Sequence, residues 1–256
     1  MKAPEGLFLI RPAIFGGIPG VLALQTTRKG GFSNPPCDSM NLGRNTADDA
    51  GQVARNLELL GAALGIPPDH VIFTEQVHGT RVVRVDGPGN VSNCDALITH
   101  TAGIFPAILT ADCYPVLVHD PEHRASGAAH AGWQGTAGGI VQGMLTAMTD
   151  AFGTRPEACL AWVGTGISGD RYEVGGEVAA KFDTKYLRPS PGGDGRYLLD
   201  LSAANRDQLV EAGLQAGKIE CSDYCSSGDR ELFYSYRRDQ GKTGRMASLI
   251  GVRPSA

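Results

Sequence analysis

The sequence predicts an α+β domain with mixed β-sheets and helices packed outside them. Three observations carry this. Short apolar runs recur along the whole chain, each bounded by breakers drawn from 35 glycines and 15 prolines. That is the pattern of strands joined by tight connections. A few longer segments switch to helical periodicity. The two kinds of segment do not alternate strictly, which points away from a regular βαβ series and toward an α+β or irregular α/β architecture. The 256 residues suffice for one sizeable core and no internal repeat stands out, so a single domain over residues 1–256 is expected.

The expected strands, in order, are LFLIR (7–11), GVLALQTT (20–27), HVIFTE (70–75), RVVRV (81–85), DALIT (95–99), FPAILTA (105–111), PVLVHD (115–120), SGAAHA (126–131), CLAWVG (159–164), RYLLDL (196–201) and MASLIGV (246–252). Between them, residues 48–65 place Val53, Leu57, Leu60 and Leu64 at helical spacing, with Gly65 as the stop. A second helix is expected from Thr136, as N-cap, to Gly153. Residues 176–182 and 202–214 form shorter helices, the latter capped by Ser202. RPSPGGDGRY (188–197) is a loop or linker.

Composition narrows the function classes. The formal net charge of −4 gives no global basic footprint for nucleic acid, although residues 234–245 form a local basic cluster. The apolar runs are too short to span a bilayer, and the N-terminal apolar stretch, cut off at Arg11, is too short for a secretory signal. A cytoplasmic protein, with no nucleic-acid or membrane partner and expected to act as a monomer, fits best. Its six cysteines (37, 94, 113, 159, 221, 225) then read as reduced thiols. Cys221 and Cys225 are close enough in sequence to pair as ligands, but a closed zinc site would need two more.

His78, Cys113 and His130 attract attention by side-chain chemistry. Two imidazoles and a thiolate suit zinc, or copper in another geometry, and three protein ligands leave a tetrahedral position open for catalysis. Their spacing alone does not select them, because no local ligand pair such as C-x-x-C is present. Each also has an ordinary reading as a satisfied core histidine or a buried small thiol. In an extended chain Gln76 shares the face of His78 while Glu75 points away. Pro115 is expected to break the pairing beside Cys113. Asp112, next to a ligand, is the nearest acid for proton transfer. Anion contacts are expected from Arg28 in TTRKGGFS (26–33), from the glycine turn at 132–136, or from Arg237 and Arg238 in SYRRD (235–239). The alternatives at these places are a hairpin turn, glycines used for packing, and an edge strand with an Arg238–Asp239 type ion pair.

Seven ordered segments carry a resemblance. They are TTRKGGFS with MNLG (40–43), TEQVHGTRVVRV (74–85), CDALIT (94–99), ILTADCYPVLV (108–118), AAHAGWQGTAGGIV (128–141), YEVGGEV (172–178) and LFYSYRRDQGKTGRMASLI (232–250). Together they resemble the YfiH/laccase-domain family over nearly the whole chain, from about Arg11 to Val252. The resemblance implies a single domain of the YfiH-like cysteine-hydrolase fold. It implies a metal site of His78, Cys113 and His130, with zinc as the ion and copper as the alternative. It also implies catalysis on purine nucleosides with phosphate: phosphorolysis of adenosine, inosine, guanosine and methylthioadenosine, and deamination of adenosine. Family members often carry a cysteine just before the YEVG motif, where this chain has Asp170 and Arg171. Zinc activates water for attack at C6 of adenine, a step that also needs a proton shuttle. Three other readings compete. They are a copper polyphenol oxidase, a Cys113-dependent amidase or peptidase acting on peptidoglycan precursors, and a metal-stabilised binding protein. Six histidines without an H-x-H pair argue against several copper centres.

Overall fold

The computed structural model describes residues 6–254. Residues 1–5, where the N-terminal segment begins, and residues 255–256 lie outside the described residues. In chain order the strands and helices are β1 (Leu9–Ile10), β2 (Val21–Thr26), α1 (Ala50–Leu64), β3 (Val71–Phe73), β4 (Val82–Arg84), β5 (Ala96–Thr99), β6 (Phe105–Thr110), β7 (Tyr114–Asp120) and β8 (Ala125–Ala131). They continue with α2 (Trp133–Ala137), α3 (Ile140–Phe152), β9 (Leu160–Val163), β10 (Glu173–Val174), α4 (Gly176–Ala179), β11 (Leu187–Pro189), β12 (Tyr197–Leu199), α5 (Leu201–Glu211), β13 (Ile219–Cys221) and β14 (Met246–Val252). Every expected strand is present. β10, β11 and β13 were not expected, because runs of two or three half-buried residues carry no readable period.

The strands form a five-stranded sheet in the order β1-β2-β14-β6-β3 and a six-stranded sheet in the order β13-β9-β7-β8-β5-β4; β10-β12-β11 make a small third sheet. Parallel and antiparallel pairs occur in both large sheets, as the α+β reading requires. The two large sheets stack face to face. Ala23, Ile108 and Ile250 of the first meet Leu117, Ala128 and Trp162 of the second. Their neighbours along the strands turn outward with the period of two. Leu24, Ala107 and Leu249 pack on Leu60 and Leu64 of α1. Val116, Val118 and Ala129 pack on Val141, Met144 and Met148 of α3 and on Leu209 of α5. The result is a helix–sheet–sheet–helix sandwich with both sheets buried on both faces.

α1 follows its pattern: Asp49 caps it by accepting from Gln52 N, and Gly65 ends it at φ 66°. The second helix differs from expectation. It begins at Trp133 with Gly132 as N-cap, and Gly139 at φ 77° splits it into α2 and α3. Thr136 lies inside the first turn, its hydroxyl donating to Asn205 Oδ1 at 3.2 Å. Asp200, not Ser202, caps α5 by accepting from Ala203 N. Residues 176–182 form a single helical turn, and 188–197 is a hairpin whose ends belong to β11 and β12. Among the described residues no helix is long and apolar enough to cross a membrane.

Candidate functional site

Two chain crossings between the large sheets build the site. After β3 of the first sheet, residues 74–81 cross to β4 of the second; after β6 of the first, residues 111–113 cross to β7 of the second. His78 lies on the first crossing and Cys113 on the second. His130 lies near the end of β8, opposite Pro115 of β7. Pro115 therefore does not break the strand. Its carbonyl accepts from Gly164 N at 2.8 Å, so the missing N–H faces β9 just past the last residue of that strand. The bond the proline cannot make is the reciprocal one to Gly164, at the end of the β7–β9 ladder.

The ligand-type atoms of His78, Cys113 and His130 lie within 4.8 Å of one another. Among the described residues no other group of three His, Cys, Asp or Glu side chains is drawn together in this way, so Cys221 and Cys225 do not form a second site. The two imidazoles meet edge to face with centroids 4.8 Å apart. Gly132 makes room for the cluster. A Cβ at that position would come within 2.9 Å of Cys113 Sγ and 3.4 Å of His78 Cδ2.

Asp95, which the sequence reading missed, organises the cluster. It is 0% exposed. Its Oδ1 accepts from His130 Nδ1 at 2.8 Å and from His78 N at 2.9 Å; its Oδ2 accepts from Gly79 N at 2.7 Å and Val77 N at 3.2 Å. Its carbonyl also accepts from His130 N at 2.7 Å. One buried carboxylate thus fixes both histidines, and it assigns the His130 proton to Nδ1, leaving Nε2 for a ligand. Burial opposes ionisation of Asp95, but the His130 hydrogen bond and the backbone donors hold its carboxyl below the usual range. Burial likewise opposes a Cys113 thiolate. The charge of His130 and hydrogen bonds from His130 and His78 outweigh it and draw the thiol down to about 6. His130 responds in kind: against burial, Cys113 and Asp95 raise it to about 9. Thiolate and imidazolium stabilise each other.

This donor set suits a metal ion such as zinc or copper. Tetrahedral zinc with nitrogen at about 2.0–2.1 Å and sulfur at about 2.3 Å holds its ligand atoms roughly 3.5 Å apart.

The cluster opens into a cavity of about 760 Å³, a size typical of small-molecule sites. Glu75, Gln76, Asp112 and Arg237 also line it. His78 adopts φ 60°, so the chain is not extended at that residue, and Glu75 and Gln76 both line the cavity. Gln76 is a clasp. Its amide donates to Leu109 O and accepts from Leu109 N, both at 2.8 Å, tying the His78 crossing to β6. Asp112 sits at φ 92° and is engaged on both oxygens: Oδ1 accepts from the Ser226 hydroxyl and Oδ2 from Arg237 N, each at 2.6 Å. It ties the Cys113 crossing to Ser226 and to the backbone of Arg237.

The expected anion contacts divide. Arg237 reaches the cavity, its guanidinium 5.1 Å from the Tyr172 ring and donating to Glu173 O at 2.7 Å. Arg28 does not line the cavity. It pairs with Asp38 at 3.0 Å and donates to the carbonyls of Asp38 and Arg230. Arg238 does not line it either. It pairs with Asp239 at 2.7 Å and donates to Ser226 O and Phe233 O, in a turn rather than a strand.

Comparison with known proteins follows the same lines. A family model described as multi-copper polyphenol oxidoreductase laccase matches residues 22–253. A Deinococcus radiodurans protein named purine nucleoside phosphorylase is 47% identical over 228 residues, covering 89% of this chain and 87% of that protein. Escherichia coli YfiH, also named a purine nucleoside phosphorylase, is 39% identical over 236 residues, covering 90% and 93%. The crystal structure of YlmD from Geobacillus stearothermophilus superposes with a TM-score of 0.91 at 33% identity, covering 99% of this chain and 98% of that one. The family description speaks of oxidation and the relatives' names of phosphorolysis. Sequence and fold agree that the chain belongs to the multi-copper polyphenol oxidoreductase laccase family, the family of YfiH and YlmD.

Proposed function

We propose that the chain is a zinc-dependent purine nucleoside phosphorylase acting on adenosine, inosine, guanosine and methylthioadenosine, with adenosine deamination as a second activity. The observation that carries this is the His78–Cys113–His130 cluster at the wall of a nucleoside-sized cavity. Relatives bearing the phosphorylase name support it. Zinc held there would act as a Lewis acid on an oxygen nucleophile. In phosphorolysis a phosphate oxygen bonds to C1′ of the ribose as the C1′–N9 bond breaks, and the departing purine takes up a proton. The chain's own part is to bind and orient. Asp95 fixes His130, and Tyr172 and Tyr236 line the cavity with aromatic surface for the base. For proton transfer, Asp112 is engaged on both oxygens, whereas the Glu75 carboxylate has no hydrogen bond or ion pair among the described residues, and Glu75 lines the cavity. The copper oxidase reading would need further copper centres of the blue-copper and histidine-rich kind, and the donor residues assemble at one place.

One observation favours a second reading. Cys113, His130 and Asp95 line up as thiolate, imidazole and orienting carboxylate, the arrangement of a cysteine nucleophile with its base. That suits an amidase acting on peptidoglycan precursors. Metal analysis of the purified protein, with inosine turnover measured with and without phosphate, separates the two. Bound zinc and phosphate-dependent hypoxanthine release, both lost in Cys113→Ala, support the first. Copper with no nucleoside turnover sinks it. Metal-free protein whose amidase activity falls with Cys113 alkylation supports the second.

A further inference from the structure

Resting on the phosphorolysis reading, we propose that Arg245 is the principal phosphate-binding residue of the cavity, with Arg44 assisting at its rim. The arginines differ in what their guanidinium groups already hold. A guanidinium carries five N–H donors. Arg28 and Arg238 use all three nitrogens on protein oxygens, including a carboxylate each. Arg237 and Arg245 each use only Nη1: Arg237 donates to Glu173 O at 2.7 Å, and Arg245 to Thr243 O at 3.1 Å and Gly244 O at 2.9 Å; Arg237 is exposed, whereas Arg245 is half-buried. Its Nε and Nη2 have no partner among the described residues, and no carboxylate pairs with it. Arg44 forms no side-chain hydrogen bond or ion pair among the described residues. Both line the cavity that holds Cys113.

The surroundings place Arg245 deliberately. Gly43 packs on its stem, since a Cβ there would meet Arg245 Cγ at 2.6 Å. Arg245 N donates to the buried Asn41 Oδ1 at 2.8 Å, and Arg245 O accepts from Leu42 N at 3.2 Å. The 41–44 loop therefore seats Arg245 and carries Arg44 beside it. The Arg245 guanidinium also lies 5.6 Å from the Tyr236 ring at the mouth. Burial pulls its basicity below the usual arginine range. A half-buried cation with free donors and no counter-ion is costly unless a ligand supplies the anion. The free Nε–H and Nη2–H form the edge that engages two phosphate oxygens at once.

The test is steady-state phosphorolysis of inosine by the metal-loaded protein with phosphate varied. Arg245→Gln should raise the phosphate KM about tenfold or more, the loss expected for a charge-assisted contact, and leave the inosine KM within about twofold. Because Arg245 packs against Gly43, the exposed Arg44→Gln is the second variant, with a smaller rise of about threefold in phosphate KM and an unchanged thermal midpoint. An unchanged phosphate KM in both variants overturns the inference. A wild type that releases no hypoxanthine in phosphate sinks the phosphorolysis reading instead. Calorimetric titration with inorganic phosphate then decides the site: binding by wild type that Arg245→Gln weakens about tenfold sustains it, and equal or absent binding overturns it.

Discussion

Asp95→Asn tests whether one buried carboxylate sets the geometry of the cluster. Four donors converge on Asp95, two per oxygen: His130 Nδ1 and His78 N on Oδ1, Gly79 N and Val77 N on Oδ2. Asparagine keeps one oxygen and turns an NH2 donor toward the other pair, whichever way the amide lies. With the NH2 toward Gly79 and Val77 two backbone donors lose their acceptor; with it toward His130 the imidazole accepts instead and only His78 N loses its acceptor, at about 1–3 kcal/mol for each donor lost. A total of about 1–6 kcal/mol is a sizeable share of a typical folding stability of about 5–15 kcal/mol. If the NH2 meets His130, the imidazole proton moves to Nε2 and removes the lone pair a metal needs; if it meets Gly79, the His78 crossing loosens. Zinc affinity should fall about 10- to 100-fold in either case. Competition for zinc against a chromophoric chelator reads the affinity, and urea unfolding of the chelator-treated protein reads the stability. Wild-type zinc affinity in a folded Asp95→Asn variant would refute the assignment of Asp95 as the orienting group.

Further outcomes follow from the same geometry. Gly132→Ala is conformationally permitted, since Gly132 has φ −75° and ψ 174°. Its new Cβ would press on Cys113 Sγ at 2.9 Å, so zinc affinity should drop while the unfolding midpoint of the metal-free protein stays close to wild type. Gln76→Ala removes both hydrogen bonds to Leu109 and should cost about 1–3 kcal/mol in urea unfolding. It should also weaken zinc binding by freeing the His78 crossing. His119 gives a pH dependence. Burial draws its imidazole from 6.5 down to about 4, so between those values the unfolded chain takes up a proton that the folded chain refuses. Stability should decline as pH falls through that window, by up to about 3 kcal/mol. Denaturation midpoints at pH 7.5 and 4.5 should differ less in His119→Gln than in wild type.

Much of this fold was legible because its strands are regular where they matter. β7 and β14 read as apolar runs since both of their faces are buried, and α1 was bounded correctly by a helical stripe ending in Gly65. The misreadings fall where local chemistry is ambiguous. Thr136 and Ser202 are good caps by type, yet Gly132 and Asp200 hold those positions. Pro115 looked like a break because its missing N–H was judged without knowing where β9 ends. Glu75 and Gln76 were assigned faces from an extended chain, and His78 at φ 60° turns that chain aside.

By itself the sequence determined the α+β class, the order of its main strands, and the three residues whose chemistry suits a metal. These depend on side-chain type and on periods of two or 3.6 residues, which are local properties. Only the tertiary structure decided that His78, Cys113 and His130 meet, that Asp95 orients both histidines, and which arginines have donors to offer a ligand. Those facts depend on two sheets stacking so that separate crossings converge. Hydrogen-bond partners, unlike periodicity, are chosen by whatever the packed chain brings within reach. Arg28, Arg238 and Arg245 are the same residue type; only their neighbours tell the structural clamps from an arginine that lines the cavity with free donors.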